Sequence, residues 1–493
     1  MSFQGRALKP CLHKVFLAVI IILSILIFPV KIPAAAYIDT TPTTVRVALG
    51  INLASVEFSV SEGNYELVDC LTQRVVSTAS FKGKWVVAPA GSTNLQIYHN
   101  GQPLQGISSS LLLLRQVNDQ KLNVFSFEQK KYRGNLLLEN FRGKIQAINY
   151  LDMEQYLYGV VGAEMGLGAP EEAYKAQAVV SRTYALYHKQ HPQLNYDLGI
   201  NTQWQVYGGY DSEIASGSIV KKAVDETRGQ VIYYDQELIQ AFFHSNSGGY
   251  SEACENVWSA SLPYIQPVAT PEDAVAVQVS SKLSWSAETY HWEKTYNKQE
   301  LMNQLIQWNR AHPDNAVNVG EILGISVKRW AVDPQTKEFL AKETDSGRVT
   351  QLDIKGTRGV KSFYRDTIRS VLGLRSTLFE VICDSTVKIW NAFGSLYILN
   401  NTENLKAINA DGYISKLNGN KDKYYVLSAE GLKTIPKDFS AVTFKGKGNG
   451  HGLGMSQWGA WGMALRGSKY TEIIEHFYNQ DKNDGRLRIQ TYF

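Results

Sequence analysis

An α+β fold is predicted, with a mixed α and β core, a β-rich domain before it and a small β unit inserted in it. Three observations carry that reading. From about Val45 to Ile148, stretches such as VRVALG, KWVVAPAG and LNVFSFEQ set apolar and β-branched residues between Gly, Asn and Ser turns, the pattern of short strands. From Asp152 onward the apolar spacing becomes helical. Between about Val387 and Phe439 short strands return, with turn dipeptides at Asp411–Gly412 and Asn418–Gly419. The expected limits are 37–144 for the β-rich domain, 145–384 and 441–493 for the two parts of the core, and 385–440 for the inserted unit.

Each element has a local reason. Asp152 followed by Gln155 predicts a capping box opening a helix that buries Met153, Tyr156, Leu157, Val160 and Val161. After a GLGA loop, Pro170 suits the first position of a second helix, with Ala173, Ala176, Val180, Thr183 and Leu186 along its inner stripe. Lys298 to His312 reads as a third helix and Leu238 to Phe243 as an apolar strand. Near the C-terminus, FKGKGNGHGLGMSQWGAWGMAL places Gly446, Gly448, Gly450, Gly452 and Gly454 at one parity, so an extended chain there would show one face without side chains. Each glycine costs roughly 0.5–1 kcal/mol of backbone entropy relative to alanine, so something must come close to that face. A ligand and a strand crossing in the core answer equally. Nucleotide-binding glycine spacings are not met.

Composition narrows the classes. A chain of 493 residues, 44% hydrophobic, is long enough for two or three domains. Its 50 Lys and Arg against 46 Asp and Glu leave a net charge of +4 with no dense basic cluster, which argues against a nucleic-acid partner. With 27 Tyr and 10 Trp, a mildly basic chain suits an anionic or sugar-bearing polymer. Arg6, Lys9 and Lys14 precede an apolar run from Val15 to Val30, and Ala34, Ala35 and Ala36 follow. Residues 1–36 therefore read as a secretory signal, with an uncut anchor, the one expected link to a membrane, as the alternative. Cys11 falls in this leader, leaving Cys70, Cys254 and Cys383, an odd number with no C-x-x-C, so no disulfide framework is expected.

The chemistry-bearing groups are few. Glu164, in VVGAEMG, is expected just past the end of the first helix among apolar and small neighbours. Burial and the negative end of the helix dipole would both raise its pKa toward the range of a general acid. Arg182, on the next helix, is either a cation in a groove or the partner of that carboxylate. FFHSNSGGYSEACENVW clusters His244, Ser245, Asn246 and Ser247, yet no G-x-S-x-G elbow supports a serine nucleophile, and His244, Cys254 and His451 lack metal-ligand spacing. No metal and no cofactor is expected.

Three motifs in order, VVGAEM with EEAYKAQAVVSRTYAL, FFHSNSGGYSEACENVW with PYIQPV, and GNGHGLGMSQWGAWGMALRG, make the chain from about Val45 to Phe493 resemble the SpoIID/LytB family. That family comprises stage II sporulation protein D and the LytB amidase enhancers. The resemblance implies work on peptidoglycan outside the membrane, either as a lytic transglycosylase or as a wall-binding enhancer of an amidase. It carries the catalytic glutamate to Glu164, the motif arginine to Arg182 and a groove tyrosine to Tyr264. Gln266 departs from the basic residue that sporulation members often have after PY-x. Some members hold zinc, but His244 and Cys254 alone do not supply that ligand set. Within this reading, His244, Ser245, Ser247, His451, Ser456, Gln457 and Trp458 are expected to line the glycan groove, the last as a stacking face. The partners implied are glycan strands and a wall amidase, and the location is the periplasm, the cell wall or the outer face of the membrane.

Overall fold

A computed structural model describes residue 41 and residues 43–492, apart from residues 78–82, 119–120, 193, 285 and parts of the stretch 386–439. The leader at 1–36 and the turn residues Asp411, Asn418 and Gly419 lie outside the described residues. The fold is mixed α+β with a β-rich N-terminal region, as the sequence predicts.

Two six-stranded sheets form that region. In the first, strand Lys144–Asp152 lies between Thr44–Leu53 and Asn135–Phe141, antiparallel to both. This strand, expected to begin the core, is thus paired within the N-terminal sheet and runs straight into helix α1, Met153–Met165. Asp152 caps α1 by accepting hydrogen bonds from the Glu154 and Gln155 amides at 2.9 and 3.4 Å. Helix α2 spans Glu171–Gln190, and Pro170 stands one residue outside it in extended conformation. Helix α3, Gly209–Glu226, is bent at Gly217, whose φ of 69° is not helical. The five residues expected on the buried stripe of α1 are all buried, in one apolar core with inward residues of both sheets, such as Val47, Phe125 and Leu138.

Two further cores follow. In one, Ala176, Val179 and Val180 of α2 pack with Tyr264 and with Ile474 and Phe477 of a C-terminal helix. In the other, Leu301, Leu305 and Trp308 of helix α4, Lys298–Ala311, pack on short sheets between Trp292 and Phe444. Asn297 and Glu300 close a reciprocal capping box at the start of α4. The expected strand from Leu238 to Phe243 is reduced to two-residue pairings, Glu237–Leu238 and Phe243–His244. Phe243 and His244 pair in parallel with Met455 and Ser456, just before helix α5, Gln457–Leu465; helix α6, Tyr470–Asn479, follows.

Between Cys383 and Ser440 the described residues form three hairpins: Val387–Trp390 with Leu396–Leu399, Lys406–Ile408 with Ile414–Lys416, and Lys423–Ser428 with Gly431–Pro436. The two ends of this stretch meet. Cys383 pairs with Val442, the Asp384 amide donates to Ala441 O at 3.1 Å, and the Asp384 carboxylate accepts from the Ser440 amide at 2.9 Å. Replacing 386–439 by a two-residue turn is therefore expected to leave one cooperative melt, followed by circular dichroism. Loss of that transition would assign the hairpins to the core.

Candidate active site

Glu164 sits in the last turn of α1, not beyond it. The residue is half-buried, and each carboxylate oxygen takes one hydrogen bond. Oε1 accepts from the Val206 amide at 2.5 Å, in the loop before α3, and Oε2 accepts from Gln457 Nε2 at 3.0 Å, at the start of α5. Burial raises its pKa above the ordinary glutamate value, and the two donors oppose only part of that rise. Among the described residues, no cation is among the groups that act on it. The arrangement is that of an acid kept protonated to higher pH than usual. Burial pushes the Tyr184 hydroxyl up as well, and the charge of Glu164 adds to that push, so the phenol stands within the field of the carboxylate. Trp204, half-buried, precedes Val206 by two residues and meets the His188 ring edge-on, while His188 lies 4.4 Å from the Tyr184 ring. Sequence reasoning missed Tyr184 and Trp204. The aromatic in SRTYAL and the lone Trp of the polar NTQWQ segment were the available signals.

Arg182 is placed elsewhere. Its guanidinium is fully buried and grips Glu154, with Nε to Oε1 at 2.9 Å and an Nη to Oε2 at 2.6 Å. The remaining N–H groups point to Gln230 O and Val224 O, and Glu154 also takes the Gly229 amide at 3.1 Å. This corrects both readings of Arg182, since it neither faces a groove nor pairs with Glu164. Tyr264 is likewise core: it is 9% exposed, and its hydroxyl oxygen accepts from the Gln240 amide at 3.0 Å.

His244 and Ser247 are buried and bonded to each other at 2.9 Å. His244 Nδ1 lies 3.0 Å from Leu453 O, which can only accept, so Nδ1 carries the proton. Burial drives the pKa of His244 well below its usual value, leaving Nε2 to accept from Ser247 Oγ. This pair looks like a nucleophile and its base, but no substrate reaches it. His451 is half-buried and neutral, its pKa pushed by burial to about 4, and its Nδ1 accepts from the Leu453 amide. Ser456 is buried as the cap of α5, accepting from the Gly459 amide and donating to Asp273. Burial holds the Asp273 carboxyl up at about 6, against the pull of Ser456, Gly249 and Thr270. Trp458 is 4% exposed and stacks on Trp461 with centroids 4.8 Å apart, so it offers no open face. Its amide donates to Ser245 O at 3.0 Å, which brings half-buried Ser245 beside Gln457. Of the expected groove residues, Gln457 bonds Glu164, Ser245 lies next to Gln457 through its carbonyl, and Arg182, Tyr264, His244, Ser247, Ser456 and Trp458 are structural.

The glycine run is explained by packing. Gly448, Gly450, Gly452 and Gly454 all have positive φ, so the segment is not a regular extended ribbon. A Cβ on Gly454 would lie 2.0 Å from Phe242 O, and one on Gly452 would lie 2.6 Å from the Arg348 guanidinium carbon. What approaches the backbone is FFHSNS and a buried arginine, the strand-crossing alternative. No group of three or more His, Cys, Asp or Glu arranged for a metal occurs among the described residues.

A family model described as SpoIID, stage II sporulation protein, matches residues 141–234, which include Glu164 and Glu154. The amidase enhancer of Bacillus subtilis is 29% identical over 411 residues, covering 81% of this chain and 51% of that protein, so the chain spans about half its length. An uncharacterised protein of Brachyspira hyodysenteriae is 26% identical over 357 residues, covering 72% of this chain and 73% of its own. Stage II sporulation protein D of Bacillus amyloliquefaciens is 25% identical over 351 residues, covering 69% and 76%. Family model, relatives and motif order together support the chain's resemblance to the SpoIID/LytB family.

Proposed function

We propose that the chain is an exported peptidoglycan lytic transglycosylase that uses Glu164 as acid and then base, within the cell-wall-related function that its family indicates. One observation carries the reading: a half-buried carboxyl with a raised pKa, held by one amide and one side-chain donor, with no cation among the described residues that act on it. In its acid form Glu164 protonates the glycosidic oxygen between N-acetylmuramic acid and N-acetylglucosamine as the C1–O bond breaks. The muramyl C6 hydroxyl then attacks C1, its proton passes to the Glu164 carboxylate, and a 1,6-anhydro end forms. The nucleophile belongs to the substrate, so one carboxyl suffices where hydrolytic glycosidases need two. Val206 and Gln457 fix the carboxyl in place. Half-buried Trp204, two residues before Val206, supplies an indole suited to the C–H face of a sugar, and buried Tyr184 packs behind the carboxyl.

The second reading is a non-catalytic wall-binding enhancer of an N-acetylmuramoyl-L-alanine amidase, favoured by the relative named amidase enhancer. Digestion of purified glycan strands by the exported chain, followed by mass analysis, separates the two. Anhydromuramic ends are expected. Reducing ends would instead mean hydrolysis, and strands bound but uncut would favour the enhancer.

A further inference from the structure

Away from Glu164, three large aromatic side chains lie open in a row. Trp330 is 41% exposed, Phe339 36% and Tyr364 46%. Their ring centroids are 6.2 Å apart from Trp330 to Phe339 and 6.1 Å from Phe339 to Tyr364. The rings come from a hairpin, Trp330–Val332 with Phe339–Glu343, and from the end of strand Gly359–Tyr364. Tyr364 also lines a cleft of about 850 Å³, together with Trp258, Trp308, His312 and Arg365. At the other side of that cleft, Trp258 meets Phe242 edge-on at 4.6 Å, and Phe242 and Phe243 lie 6.4 and 6.2 Å from Tyr184, next to Glu164. Rings therefore lead from buried Tyr184 beside the carboxyl through half-buried Phe242, Phe243 and Trp258 to the cleft that Tyr364 also lines.

A contiguous apolar exposure of this kind marks a binding surface. Spaced rings interrupted by polar groups suit a sugar chain better than an aliphatic protein patch, because a pyranose offers a C–H face to stack and hydroxyls at its edge. The cleft supplies the edge partners: Asn315, Thr367 and Ser370 line it, and Arg365 is anchored there through Nε on Glu255 O at 3.2 Å. Cations accompany the rings, with Lys328 Nζ 4.5 Å over one face of Trp330. Carboxylate-bearing units fit beside them.

We propose that Trp330, Phe339, Tyr364 and the adjoining cleft form a second binding surface that holds the distal part of a carboxylate-bearing polysaccharide strand while a nearer part occupies the Glu164 site. This rests on the reading of that site as a peptidoglycan site. The test is calorimetric titration of the exported chain with short and long peptide-free glycan strands, in a Glu164→Gln background so that nothing is cut. Affinity is expected to rise with strand length. The triple variant Trp330→Ala, Phe339→Ala, Tyr364→Ala, made at exposed positions and checked for an unchanged melt, is expected to bind long strands roughly tenfold more weakly, what about 1.4 kcal/mol of lost stacking amounts to. Short strands are expected to bind it as they bind the parent. Equal binding of long strands by variant and parent would overturn the inference alone. So would a variant that keeps its glycan affinity but loses an added wall amidase, which would make the row a protein-docking face. If the parent bound no strand of any length, the peptidoglycan reading would fall too.

Discussion

Glu164→Gln is expected to abolish release of anhydro-ended fragments while the protein folds and binds glycan as before. Glutamine keeps the shape of the side chain: its oxygen can accept from the Val206 amide, and its NH2 can donate to Gln457 once that amide turns its oxygen inward. It cannot give up a proton at the glycosidic oxygen. Loss of a general acid costs ~10² to 10⁴-fold in rate. The pH dependence follows from the direction of the shift. Burial raises the Glu164 pKa, so the protonated acid persists above the pH at which an ordinary glutamate ionises, and the rate falls as pH climbs through that raised value. Gln457→Ala removes a donor that lowers the pKa, so the fall in rate should move to higher pH. Strand digestion across pH, with mass analysis of ends, checks both. Near wild-type turnover by the glutamine variant would end the case for Glu164 as acid.

What the sequence could reveal of this site depended on which physical quantity each residue advertises. The stripe of α1 was legible because Met153, Tyr156, Leu157, Val160 and Val161 repeat at helical spacing, and helical spacing alone buries them. The apolar setting of Glu164 was legible for the same reason. The partner of Arg182 was not. Glu154 stands in the first turn of its helix, where an acid is ordinary, and nothing local says that this turn is sealed under Gly229 and Val224. Only the tertiary path brings α2 against it. Helix α3 was missed because Gly217 interrupts a weakly apolar pattern. The glycine run announced a close approach but not its object, since a sugar and a strand make the same demand on a backbone. Trp330, Phe339 and Tyr364 are 34 residues apart at most and belong to separate strands, so their alignment exists only in the fold.

Arg182→Ala is expected to act on stability, in contrast to Glu164→Gln. The guanidinium is fully buried and bidentate on Glu154, whose side chain is 1% exposed. Removing it strands a carboxylate in the protein interior, and breaking a buried pair from one side costs about 3–5 kcal/mol. The melting temperature should drop sharply, and strand-cleaving activity should be lost only in step with the folded fraction. Arg182→Lys keeps the charge but not the planar fork that meets both oxygens, so it should recover only part of the loss. The double variant Glu154→Leu, Arg182→Met removes both charges together. Apolar replacement of a whole buried pair is often neutral or stabilising, so the double variant should melt well above Arg182→Ala. Its turnover per folded molecule should match that of the wild type, because no atom of the pair reaches the Glu164 carboxylate. If instead the double variant melts normally yet binds glycan poorly, Arg182 has a role in the groove that its burial argues against, and the structural assignment fails.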